Sequence, residues 1–374
     1  MAKQIAGYLS QDSLKEHLIR LSVAGLDKMF NRRERLFYHR VILKGTDTFP
    51  DGLSIRYTMM SLLGLHSFET AGGRSPIKIE EVLPVVRKIV KERRELGDTG
   101  LYLWLCSLTS PSELVSCFRE FEIEELWEKH RQSGFSYTME LSWFLTGLTL
   151  SARCKMPNHP NSLIHLANAV YDTIMRNYGN HGIFGHQNKG TFSGFLRGRI
   201  GTFADQVYPI YALSLFGETF HSSEAVRVAL ACASQICRHQ GPQGQWWWHY
   251  DMVSGRVIGR YPVYSVHQDG MAPMALQAAA KAGHIDFSEN IHKGLDWITG
   301  LNELETDMID PSLNFIWRSF YPQKYRRYME EAGSFLKLDS KIHSEELQVL
   351  YECRPYHLGW LLYAFASNAA DRDF

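Results

Sequence analysis

Two aspartates, Asp205 and Asp269, stand at equivalent places in a short internal repeat. Thr202-Phe203-Ala204-Asp205 opens an apolar stretch with Pro209 four residues after the acid, and His267-Gln268-Asp269 opens another with Pro273 four residues after its acid. Each acid therefore falls near a predicted helix start, where the aligned peptide dipoles favour an anion. Between them runs Gly244-Gln245-Trp246-Trp247-Trp248-His249-Tyr250-Asp251, aromatic and polar groups at a density that a solvated linker has no reason to carry. Acid/base chemistry on a sugar needs such a set: one carboxyl kept protonated, a second ionised, and apolar platforms for the sugar faces. Asp205 and Asp269 are accordingly the candidate catalytic pair, with Glu140 as the reserve acid. His249 and His267 are the alternative acid/base groups, of the kind an epimerase or lyase would use. Trp246, Trp247, Trp248 and Tyr250 are the candidate platforms. Consecutive residues point in different directions, so at least one of the three tryptophans should face a cavity.

The elements that must position these groups alternate in character. Amphipathic stretches near 12–30, 76–95, 112–132, 161–178, 222–239 and 287–304 each precede a stretch that is apolar on nearly every side. The apolar stretches run through Tyr57–Leu65, Leu101–Cys106, Leu141–Leu148, Val207–Phe216, Met271–Ala280 and Leu358–Ala364. A helix apolar all round is buried, and one with a single apolar stripe lies at the surface. Thr48-Phe49-Pro50-Asp51-Gly52 reads as a turn, Leu347–Glu352 as a further helical piece, and runs with the period of a strand are nearly absent. Six inner and six outer helices in alternation predict an all-α (α/α)6 toroid, a single domain over residues 1–374, although several seven-helix arrangements fit the pattern almost as well.

That pattern resembles the six-hairpin toroid proteins over almost the whole chain. They include glycan hydrolases, lyases and sugar epimerases, and also terpenoid cyclases and prenyltransferases. The resemblance implies an active site in the funnel where the inner helices begin. The inner starts gather Arg56, Asp98, Glu140, Asp205, Gln206, His267, Gln268, Asp269, Arg354, Tyr356 and His357. Of these, Arg56, Gln206, Gln268, Arg354 and His357, together with Tyr264, are candidate substrate contacts. A plainer account competes, since Asp at a helix start is an ordinary cap. Capping leaves the accompanying histidines, arginines and tryptophans unexplained.

Other chemistries find less support. Gln240, Gly244 and Trp246 have the Q-x-x-x-G-x-W spacing that resembles squalene cyclase repeats, but it occurs once, and neither DDxxD nor DxDD is present. An aromatic-lined toroid suits a carbocation as well as a sugar, so a terpenoid cyclase stays as one alternative and a non-catalytic glycan- or protein-binding toroid as another. His181 and His186 lie five apart without HExxH or a cysteine-rich metal site, and Gly182-Ile183-Phe184-Gly185 resembles the loops of lanthipeptide cyclases without their zinc cysteines. No metal or cofactor is expected. Forty basic residues balance forty acidic ones, and the runs Arg32–Arg35 and Lys91–Glu95 mix their signs, which argues against nucleic acid. The ligand expected is a small molecule or oligosaccharide. Six cysteines without CxxC, no signal-peptide core and no bilayer-length apolar run predict a soluble, cytoplasmic protein. Pro322–Lys341, with Tyr325, Arg326, Arg327 and Tyr328, is either a lid or a surface excursion.

Overall fold

The computed structural model of the protein describes residues 10–154, 161–187, 198–323 and 346–366. The expected leader-free start at Met1–Ile5 and most of the 322–341 segment, Tyr325 to Tyr328 included, lie outside the described residues. Thirteen α-helices form among the described residues: α1 (Gln11–Met29), α2 (Ile55–Thr70), α3 (Ile79–Arg93), α4 (Leu96–Thr109), α5 (Leu114–Glu120), α6 (Ile123–Gln132), α7 (Thr138–Arg153), α8 (Asn161–Met175), α9 (Ala204–Phe220), α10 (Ser223–Arg238), α11 (Ala272–Gly283), α12 (Ser288–Ile298) and α13 (Pro355–Phe365).

Helices α2, α4, α7, α9, α11 and α13 make a closed ring, because each packs on the next and α13 packs back on α2. The remaining helices lie outside them, with α5 and α6 sharing the third outer place. Burial follows the sequence pattern. In α9 every residue from Asp205 to Gly217 is buried, whereas α10 buries the single stripe Ala225, Val228, Ala229, Cys232, Ala233 and Ile236. This is the (α/α)6 toroid that the alternation predicted.

Close approach within the ring depends on small residues. A Cβ at Gly64 of α2 would stand 2.1 Å from the main-chain oxygen of Gly359 in α13. Neither backbone can yield locally, so Gly64→Ala is expected to destabilise the fold by about 2 kcal/mol, read as a lower melting temperature. An unchanged transition would mean that α2 and α13 can part without cost.

The two ends of the toroid differ. Turns from an inner helix to the next outer one can be as short as His221-Ser222, whereas several outer-to-inner connections are long: 30–54, 176–203, 239–266 and 299–354. All of these segments enter the inner helices at their N-termini, and among the described residues they carry four small antiparallel sheets. Two sequence expectations fail here. Leu347–Glu352 forms strands Leu347–Leu350 and Glu352–Cys353 rather than a helix, since a short apolar run does not declare its period. Thr48–Gly52 belongs to the strand Asp47–Leu53, paired with Leu36–Lys44, and the chain reverses at Gly45-Thr46. Pro50 is tolerated because that strand has a neighbour on one side only.

Candidate active site at the inner-helix N-termini

Below the mouth, the ring is filled by aromatic side chains in two levels. Trp143, Tyr208 and Trp360 lie four to five residues inside their helices, about 7 Å down at the helical rise. Trp143 meets Tyr208 edge-on at 5.2 Å, and Tyr208 meets Trp360 at 5.9 Å. Lower still, Trp104 stacks on Tyr211 at 5.0 Å and donates to the Tyr363 hydroxyl at 3.3 Å, while the Tyr211 and Tyr363 hydroxyls are 2.5 Å apart. These residues are buried, so the ring is plugged below its N-terminal end, where the candidate groups lie.

One wall is cationic and aromatic. Tyr57 stacks between His39 at 5.2 Å and Tyr356 at 4.4 Å. Glu352, 3% exposed, is the hub beside it: Oε1 accepts from Arg318 and from Arg354 at 2.6 Å, and Oε2 accepts from Arg40 at 3.0 Å. Arg354 also donates to the Tyr57 hydroxyl at 2.8 Å, and Arg40 to Asp51 at 2.8 Å. Arg318 lies 5.0 Å over the Tyr264 ring. Among the described residues three guanidiniums thus face two carboxylates, an excess of one positive charge. Sequence reading found Arg354 and Tyr264 but missed His39, inside the strand Leu36–Lys44, Arg318, just before the strand Ser319–Pro322, and Glu352, in the two-residue strand Glu352–Cys353.

A second wall is acidic. Arg56 donates from Nε to Asp98 at 2.5 Å, and its Nη2 reaches Glu95 at 2.9 Å and Glu140 at 2.8 Å. The guanidinium rests 5.5 Å over the Trp143 ring. Asp98 is fully buried; burial pushes its carboxyl pKa up, while Arg56 opposes the rise. Glu140 keeps 17% of its side chain exposed and Glu95 43%, so these are the carboxylates on this wall that solvent reaches.

The repeat pair is differently placed. Asp205 Oδ2 accepts from Thr202 N and Oγ1, both at 2.8 Å, while Asp205 N donates to Thr202 Oγ1 at 3.3 Å. This is a reciprocal capping box. The same Oδ2 lies 2.9 Å from His186 Nδ1. Asp269 is fully buried in a π-helical turn, His267–Met271, with His357 Nε2 at 2.7 and 2.9 Å from its two oxygens. Each acid of the pair is therefore closed on a histidine, Asp205 at 1% and Asp269 at 0% exposure.

His267 sits behind Trp248, stacked at 5.8 Å, with Phe203 at 4.5 Å and Tyr264 at 5.1 Å. Burial first, then the Arg318 and His357 charges, push its pKa down to about 3. An unfolded histidine titrates near about 6.5, so between those values the unfolded chain binds a proton that the native imidazole does not. Stability from this group is complete above about pH 6.5 and falls as pH drops through that window, by up to about 1.4 kcal/mol per unit. His267→Asn is expected to flatten that dependence in urea unfolding between pH 4.5 and 6.5. An equally steep slope would show that another group sets it.

Of the tryptophan run, Trp246 is buried against Phe203 at 5.5 Å, Trp247 is 9% exposed, and Trp248 is the one partly open to the mouth. His249 and Tyr250 are buried in a three-residue strand, His249–Asp251. Gln206 is bonded entirely within the protein: Oε1 accepts from Phe184 N at 2.8 Å and from Cys232 Sγ at 3.6 Å, and Nε2 donates to Phe184 O at 2.9 Å and Thr202 O at 3.1 Å. It ties the Gly182–Gly185 loop to α9 and does not present a donor to a ligand. Gln268 is likewise buried and donates to Tyr264 O at 3.2 Å. Gln240 bridges Gly244 O and Asn290 O, both at 2.9 Å, so the lone Q-x-x-x-G-x-W spacing marks a loop clamp on α12. Among the described residues, no group of three or more His, Cys, Asp or Glu is arranged to hold a metal ion, and no helix is long and apolar enough to cross a membrane.

No family model and no curated protein sequence matches the chain. Solved structures do. An unsaturated glucuronyl hydrolase specific for heparin superposes with a TM-score of 0.61 at 12% identity, over 95% of this chain and 96% of its own. The unsaturated glucuronyl hydrolase of Bacillus sp. GL1 gives 0.59 at 13% identity, over 98% and 96%. The α-1,6-mannanase GH76A of Salegentibacter sp. HEL1_6, an inactive variant in complex with α-1,6-mannotriose, gives 0.56 at 10% identity, over 96% and 100%. At such identities the likeness establishes the toroid fold, over 95% to 98% of the chain.

Proposed function

We propose that the protein is a carbohydrate-active enzyme, a hydrolase acting on the end of a short saccharide that carries an anionic group. The observation that carries this reading is the pairing of a solvent-reached carboxylate, Glu140, with the cationic, aromatic wall of Arg318, Arg354, Tyr57 and Tyr356. Arg56 and Tyr57 are adjacent at the start of α2 and join the two walls. A funnel plugged by buried aromatics suits a chain end better than the middle of a polymer. Its charged walls argue against the sealed apolar chamber that a terpenoid cyclase would need. The solved toroids that superpose on the chain include glucuronyl hydrolases and a mannanase, which supports the same substrate class.

In this reading Glu140 delivers a proton to the leaving glycosidic oxygen as the C–O bond breaks. Water supplies the new C–O bond and gives its proton to a second base, so no net oxidation occurs. Asp205 is the proposed second group, acting with His186, whose side chain is 22% exposed at the rim. Trp248 and Tyr264 offer sugar platforms, with His267 fixing the Trp248 ring. Asp269 and His357 support that turn from behind, and Trp246, Trp247, His249, Tyr250, Gln206 and Gln268 hold the loops. The His186–Asp205 contact also favours a second reading, histidine-based epimerisation or elimination. A reducing, cytoplasmic setting remains part of the proposal.

The test is incubation with a panel of uronic-acid-terminated disaccharides, neutral analogues and α-1,6-manno-oligosaccharides, followed by mass spectrometry. Cleavage with gain of one water on the uronic acids supports hydrolysis. Change without gain of water supports epimerisation or elimination, and binding without conversion supports a lectin-like toroid.

A further inference from the structure

The sequence offers Arg56 as a substrate contact, yet the structure engages its Nε and Nη2 donors with carboxylates. Nε is held by Asp98 at 2.5 Å, and Nη2 is shared by Glu95 at 2.9 Å and Glu140 at 2.8 Å. Trp143 covers one guanidinium face at 5.5 Å. Glu140 can come this close because residue 97 is glycine: a Cβ there would stand 2.9 Å from Glu140 Cγ and 3.1 Å from its Cδ. Asp98 is meanwhile gripped from its other side by Arg93, 3.2 Å from Oδ2.

We propose that Arg56 is a positioning residue that locks Asp98 and Glu140 into one coupled carboxylate pair, with Asp98 as the buried partner and Glu140 as the member that meets substrate. This rests on the reading of Glu140 as the proton donor. The role of the buried acid follows from its surroundings. A carboxylate removed from water keeps its charge only with close cationic partners, and Arg56 and Arg93 supply them. When Glu140 takes up a proton it weakens its hold on Arg56, which is then freer to serve Asp98. Giving up the proton reverses this, since the two carboxyls share one guanidinium. Among the described residues, the titratable and charged groups facing the pair are Arg56 on α2, Arg93 at the end of α3, Glu95 before α4, and His130 on α6. His130 is itself bonded to Ser136 Oγ at 2.7 Å, and burial lowers its pKa.

The experiment is a carboxyl titration of full-length protein with carbon-13 in aspartate and glutamate side chains, assigned with Asp98→Asn and Glu140→Gln. It is run for wild type, Arg56→Gln and Arg56→Lys. The expected result is an upward displacement of the pair's titration by about one pH unit or more in Arg56→Gln, about tenfold in proton affinity, with at least half of it recovered in Arg56→Lys. In turnover, kcat is expected to fall about tenfold or more, its alkaline limb moving with the titration, and KM to change little. A superimposable titration in Arg56→Gln overturns the proposal, as does a rise in KM at constant kcat, the mark of a lost substrate contact. If Arg56→Gln does not fold, Gly97→Ala carries the same test, because the added methyl displaces Glu140 from the guanidinium; an unchanged curve there is equally fatal. The titration needs no substrate, so it decides the role of Arg56 even if no saccharide is turned over.

Discussion

Glu140→Gln is expected to lower kcat/KM on a cleaved saccharide by about 10²–10⁴-fold, the usual range for loss of a positioned proton donor, while the melting temperature stays near that of wild type. The separation of the two effects comes from the surroundings. Glutamine has the same shape and keeps an oxygen that can accept from Arg56 Nη2. Arg56 in turn keeps Asp98 and Glu95, so no charge is stranded. The other candidate acids predict a different split. Asp205→Asn weakens a capping box and a histidine contact, and a lost cap costs about 1 kcal/mol. Asp269→Asn alters a fully buried bond to His357, where stability should suffer before activity. Steady-state kinetics and thermal unfolding on the three variants decide the assignment. If Glu140→Gln turns over normally while Asp205→Asn is inactive and fully folded, the proton donor is Asp205.

The toroid was legible in the sequence because burial all round and burial along one stripe leave different periodicities, and the chain repeats that contrast six times. Functional geometry was legible only where it lies on helix starts. Arg56, Glu140, Asp205 and His357 could be placed at the mouth from their positions alone. What the positions did not reveal is where each side chain points. Asp205 and Asp269 look alike in the repeat, yet one closes a capping box and the other is sealed against a histidine two helices away in sequence. Glu352 and Arg318 escaped notice for another reason. Their strands, Glu352–Cys353 and the segment before Ser319–Pro322, are too short to show alternation, and the ion network joins residues 40, 318, 352 and 354 across most of the chain. No local pattern records such a contact. The tryptophan run gave a partial answer: consecutive residues did face different ways, and Trp248 alone of the three is partly open.

Arg318→Gln is expected to erase the preference for an anionic saccharide over its neutral analogue, weakening the anionic ligand by about 10–100-fold, as for loss of a charge-assisted hydrogen bond, and leaving the neutral one within about threefold. Among the described residues the cationic wall carries one charge in excess, and removing Arg318 brings that count to balance. Glu352 remains paired with Arg354 and Arg40, so the buried carboxylate is not orphaned and the variant should fold. Glu352→Ala would do the reverse. It would strand Arg318 and Arg354, both 16% exposed, and breaking a buried pair in this way costs about 3–5 kcal/mol. Titration calorimetry with a uronic-acid disaccharide and its neutral counterpart, at low and high salt, reads the difference directly. The wild-type preference should shrink as salt screens the wall, and the Arg318→Gln preference should be small at both concentrations. Equal losses for the two ligands would place Arg318 in sugar-ring packing over Tyr264 and remove the charge argument from the proposed substrate class.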